Sequence, residues 1–213
     1  YFNDKKEFWN RDAEYGRHGI KFFSEHFGMY PYLNAFCVEG VIGGGMEYPG
    51  IVFLGHIGDD NSTSLYDVTV HEFGHEWYPM MMSNNETEFA FMDEGFNTFI
   101  TTLAHEDFYG RYDNFYSWKS DYQKFFSYAN TDERENNVRS YMNIAKLGVE
   151  EPIATHADHW DETIGSGTAF YPKTASVMFM LQYVLGDSVF AKFMLEYYKR
   201  WKFKHPYPED FYA

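Results

Sequence analysis

HEFGHEWYPMMMSNNETEFAFMDEGFNTF, His71 to Phe99, decides how this chain is read. Two histidines four residues apart enclose a glutamate, and a Glu-Gly pair follows one helix length later. On a helix, His71 and His75 project from the same face and can reach one metal ion. Glu72 points beside them, close enough to hold a metal-bound water without being a ligand, which is where a general base must sit. Eighteen residues separate His75 from Glu94, which lies on a second expected helix and offers a third ligand. Two histidines and one glutamate leave the fourth position of a tetrahedral zinc free for water, whereas calcium would want more oxygens. The competing reading of a His-Glu-x-x-His match is a pair of ordinary surface histidines. The apolar lead-in Val68-Thr69-Val70 and the placement of Glu94 weigh against it. Asp93 reads as an exposed aspartate at a helix start, the alternative being an acceptor for the outer nitrogen of a ligand histidine.

Composition narrows the function further. The 213 residues suffice for a sizeable core without disulfides, and the lone Cys37 can form no internal bridge and recruits no partner for a structural zinc. With 17 Lys and Arg against 32 Asp and Glu, a formal charge of −15, the chain lacks the basic footprint that nucleic acid demands. No apolar run approaches the roughly 20 residues of a spanning helix. The sequence does not fix the compartment. Hydrophobic residues make up 45% and aromatic ones 22%, which excludes disorder and points to a core and clefts walled by rings.

Outward from the motif, helices are expected over Asp12–Tyr30, stopped by Gly28 and Pro31, over Tyr66–Met82, and over Met92–Phe108, with Pro79 and the polar Ser83-Asn84-Asn85-Glu86 between the last two. Short strands are expected at Ala35–Val38 and Ile51–Leu54, on either side of the glycine-rich VIGGGMEYPG. Tyr112–Tyr128 reads as a further helix and the acidic run Thr131–Asn137 as a loop. Ala169–Leu185 reads as a helix closed by Gly186, followed by one capped by Asp187 or Ser188 and reaching Trp201. Pro208-Glu209-Asp210 has the composition of a helix start, so the chain reads as a piece of a longer protein. His56, His105, His156 and His159 lack ligand spacing to the zinc helix, and His156-x-x-His159 reads as surface. Asn61-Ser62-Thr63 and Asn85-Glu86-Thr87 match glycosylation sequons, which are frequent by chance.

His71-Glu72-x-x-His75, 18 residues, then Glu94-Gly95 resembles the gluzincin pattern, specifically the zinc exopeptidases of the aminopeptidase N and leukotriene A hydrolase family. Gly44-Gly45-Met46-Glu47-Tyr48 is similar to that family's Gly-x-Met-Glu-Asn motif, with Tyr48 in place of asparagine. Tyr171-Pro172-Lys173-Thr174-Ala175-Ser176-Val177 resembles the segment that carries its catalytic tyrosine, and His205 to Phe211 resembles the start of its next domain. The resemblance implies a mostly helical α+β fold, a thermolysin-like zinc peptidase domain with a small mixed sheet beside the cleft. It would span residues 1–204, with 205–213 opening a helical domain. One zinc per chain would sit on His71, His75 and Glu94, with Glu72 as general base and Tyr171 stabilising the oxyanion. Gly44, Gly45, Met46 and Glu47 would bind a peptide with a free N-terminus, Glu47 meeting its ammonium. An endopeptidase, or an inactive peptide-binding scaffold of the same fold, is the alternative. N- and C-terminal domains of the same protein would complete the molecule.

Overall fold

The computed structural model describes residues 8–55, 63–111, 132–160 and 170–213. The helix expected over Tyr112–Tyr128 lies outside those ranges, as do His56, Asn61 and Ser62.

Helix α1, Asp12–Phe27, buries Tyr15, Phe22, Phe23 and Phe27 along one stripe. It ends where Gly28 takes φ 119°, and a Cβ there would stand 2.5 Å from the Tyr198 ring, so both backbone and packing require glycine. Three strands follow: β1 Phe36–Glu39, β2 Gly45–Tyr48 and β3 Ile51–Leu54. Their order is β1-β3-β2, with β1 parallel and β2 antiparallel to β3. The glycine-rich stretch thus contributes a strand of its own. Alternation puts Val52, Leu54 and Glu47 inside and leaves Phe36, Met46 and Tyr48 exposed on the other face.

Helix α2, Ser64–Gly74, carries the histidine motif but stops short of the expected Met82. A wide turn over Glu76–Met81 replaces its last part, with Tyr78 at φ −128° and ψ 103°. Pro79 is the physical reason, because proline cannot donate to a helix and pushes the residue before it into extended backbone. Helix α3, Glu94–Tyr109, returns antiparallel to α2. The run expected as a loop is instead the start of α4, Glu133–Lys146. Asp132 accepts the Glu135 N–H at 2.8 Å and caps it, so acidic side chains sit at the positive end of a helix. Helix α5, Phe170–Leu185, packs across α3, and Gly95 makes room: a Cβ there would lie 2.4 Å from Thr174 Cβ. Helix α6, Asp187–Trp201, takes Gly186 as its N-cap, with Asp187 already inside the first turn. Helix α7, Pro208–Tyr212, sends Phe211 onto the core, 4.7 Å from the Phe96 ring. The core is aromatic, as the composition implies: Tyr66, Trp77, Tyr78, Phe91, Phe96 and Phe99 are all essentially inaccessible.

Candidate active site

Antiparallel α2 and α3 bring the three expected ligands together. His71 Nε2 lies 3.1 Å from His75 Nε2 and 3.1 Å from Glu94 Oε2, and His75 Nε2 lies 3.2 Å from the same oxygen. Ligands about 2.0–2.1 Å from a tetrahedral zinc stand about 3.3 Å apart, so this triangle fits the ion. Burial opposes ionisation of Glu94, but hydrogen bonds from both histidines win and hold its carboxyl well below the usual range.

The surroundings orient the ligands. His75 is 1% exposed, and its Nδ1 lies 2.8 Å from the Tyr78 carbonyl oxygen and 2.7 Å from Asp93 Oδ1. The break at Pro79 therefore serves the site, since extended Tyr78 turns its carbonyl back toward the zinc helix. Asp93 corrects the sequence reading: it is 6% exposed, held beneath His75 rather than at the surface. Asn97, unremarked in the sequence, donates from Nδ2 to the His71 carbonyl at 2.8 Å.

Glu72 and Glu47 meet across the sheet edge. A Cβ at Gly45 would fall 2.1 Å from Glu72 Oε1, so only glycine lets β2 lie on this carboxylate. Burial pushes the Glu72 carboxyl up to about 7, with His71 and His75 opposing. Glu47 is 8% exposed, and burial likewise raises its carboxyl. Ligand atoms of Glu47, Glu72 and His75 all lie within 4.8 Å of one another.

Tyr171 enters from the first turn of α5, its ring centroid 6.4 Å from that of His71, and burial together with the nearby Glu94 carboxylate raises its hydroxyl above the usual tyrosine range. A cavity of about 480 Å³ is lined by Gly44, Gly45, Glu47, Glu72, Tyr171 and the three candidate ligands. Met46 stands apart, on the opposite face of β2 and outside that lining, as strand alternation dictates. His105, set aside on spacing, lines the same cavity, with Nδ1 2.7 Å from Asp67 Oδ1. Its position 11 residues after Glu94, three helical turns, is the signal that could have found it. His159 is exposed and His156 partly so.

Residues 12–213 match the Peptidase family M1 domain. The chain belongs to peptidase family M1. It is 26% identical over 211 residues to Aminopeptidase M1 of Arabidopsis thaliana, covering 93% of this chain and 22% of that protein. Leukotriene A-4 hydrolase of Xenopus laevis is 23% identical over 172 residues, covering 78% of this chain and 26% of its own length. The chain thus spans about a fifth to a quarter of these relatives' length. Among solved structures, native yeast LTA4 hydrolase superposes with a TM-score of 0.70 at 17% identity, covering 96% of this chain and 32% of that one. An M1 zinc metallopeptidase from Deinococcus radiodurans gives 0.66 at 16% identity, covering 92% and 38%. These likenesses establish the fold, mostly helical with a small mixed sheet, and family membership implies zinc.

Proposed function

We propose that this chain is the thermolysin-like catalytic domain of a zinc aminopeptidase, holding one zinc and removing the first residue from peptides with a free N-terminus. In this reading residues 1–204 form the domain, the sheet flanks its cleft, 205–213 open the next domain, and further domains of the protein complete it. The carrying observation is that Glu47, a nearly buried carboxylate, lies within 4.8 Å of Glu72 and His75 at one end of the cavity.

Zinc held by His71, His75 and Glu94 would supply Lewis acidity, polarising the scissile carbonyl and acidifying water. Glu72 takes a proton from the attacking water and gives it to the departing amine, a role suited to a carboxyl lifted toward neutrality by burial. Tyr171 presents its hydroxyl to the oxygen on which negative charge develops. Glu47 accepts hydrogen bonds from the substrate ammonium, which fixes the first carbonyl, and no later one, against the reacting groups.

The test compares free and N-acetylated peptides. The parent protein should cleave acetylated substrates far more slowly, and Glu47→Ala should weaken the free substrate and narrow the difference. Equal rates on both in the parent would replace this reading with an endopeptidase.

A further inference from the structure

The cavity continues past the candidate ligands, where Asp67, Thr98, Thr101, Thr102, His105 and Glu133 line it. The antiparallel course of α2 and α3 sets the order of its parts. Glu47 and His75 share one end, His71 and Glu94 come next, and the Asp67–His105 pair follows, one α2 turn or about 6 Å beyond His71. Under the proposed function, on which this step rests, a peptide anchored by its amine at Glu47 runs toward that far arm. The side chain of its second residue enters there.

We infer that the far arm selects peptides with lysine or arginine as the second residue. Two carboxylates face it, Asp67 and Glu133; its basic group, His105, is committed to Asp67 Oδ1 at 2.7 Å and the Thr63 hydroxyl donates to Asp67 Oδ2 at 2.5 Å, so Glu133 is the carboxylate left to receive a new donor. The nearby arginines are also committed: Arg111 to Asp132 at 2.6 Å and Arg134 to Glu106 at 2.6 Å. Glu133 receives the Asn136 amide at 3.1 Å on Oε2, and Thr101 Oγ1 is buried without a hydrogen-bond partner among the described residues. A long stem ending in several donors can reach such acceptors, whereas a leucine leaves them unmatched and a glutamate meets like charge.

Two measurements test this on the zinc-loaded protein: calorimetric binding of Ala-Lys-Ala, Ala-Leu-Ala and Ala-Glu-Ala to the Glu72→Gln variant, and hydrolysis of the same peptides by the parent. The lysine peptide should bind about tenfold or more tighter than the leucine peptide, as a hydrogen bond to a charged group implies. Adding Glu133→Gln, which keeps an acceptor for Asn136, should shrink that ratio several-fold while leaving the leucine peptide unchanged. Indifferent binding of the three peptides, or a ratio untouched by Glu133→Gln, overturns the inference. Should that variant not fold, Thr101→Val reports on the same arm, and an undiminished ratio there overturns it equally. Lysine preference in binding with no hydrolysis by the parent would sink the proposed function and leave the arm's selectivity standing.

Discussion

In the proposed reaction, Glu72 separates metal binding from turnover at the scale of one atom. Glu72→Gln would remove the proposed proton acceptor and touch none of the three proposed ligand atoms, so zinc content should stay stoichiometric while the rate falls by about 10²-fold or more. A variant nearly as active as the parent would move the base elsewhere. Gly45 makes a second prediction from the same carboxylate. A methyl at Gly45 collides with Glu72 along its length, at 2.1 Å from Oε1 and 2.6 Å from Cγ. Gly45→Ala should therefore displace Glu72 and cost about 10²-fold in rate, as a misplacement near 1 Å does, with zinc retained. Unchanged kinetics would mean that β2 does not press on the base. Asp93→Asn should lower zinc affinity by about 10–100-fold, the usual cost of losing a partner behind a ligand histidine, and metal titration against a competing chelator measures it.

At the scale of elements, some features are legible in the sequence and others are hidden for identifiable reasons. The one-turn spacing of His71 and His75 is local, so periodicity alone predicts their shared face. Asp93 escapes a sequence reading because its burial goes with its pairing to His75 at the end of another helix, a tertiary fact that a helix-start composition does not contain. The acidic run at 131–137 resembles a loop when its charges are weighed as surface, whereas Asp132 directs its carboxylate to the Glu135 N–H. Asp132→Ala should accordingly cost about 1 kcal/mol of stability, the common value of a lost N-cap, in chemical denaturation. The same midpoint in both proteins would remove the cap from the account.

At the scale of the whole molecule, the proposed metal triangle adds a link between α2 and α3, which also meet through Asn97 on the His71 carbonyl and the Asp67–His105 pair. An ion that binds only the folded chain stabilises it by mass action, about 4.1 kcal/mol at a thousandfold excess over its dissociation constant. For a domain of this size that corresponds to a rise in Tm of about 8–16 °C. Chelation should therefore lower the melting temperature of the zinc-loaded protein by a comparable amount, and restoring zinc should recover it. Each tenfold drop in free zinc should remove about 1.4 kcal/mol, giving a graded response that a general effect of chelator would not produce. His71→Ala with His75→Ala should abolish the response, since two of the triangle's three corners disappear together. A zinc-dependent shift that survives the double change would place the stabilising ion outside His71, His75 and Glu94.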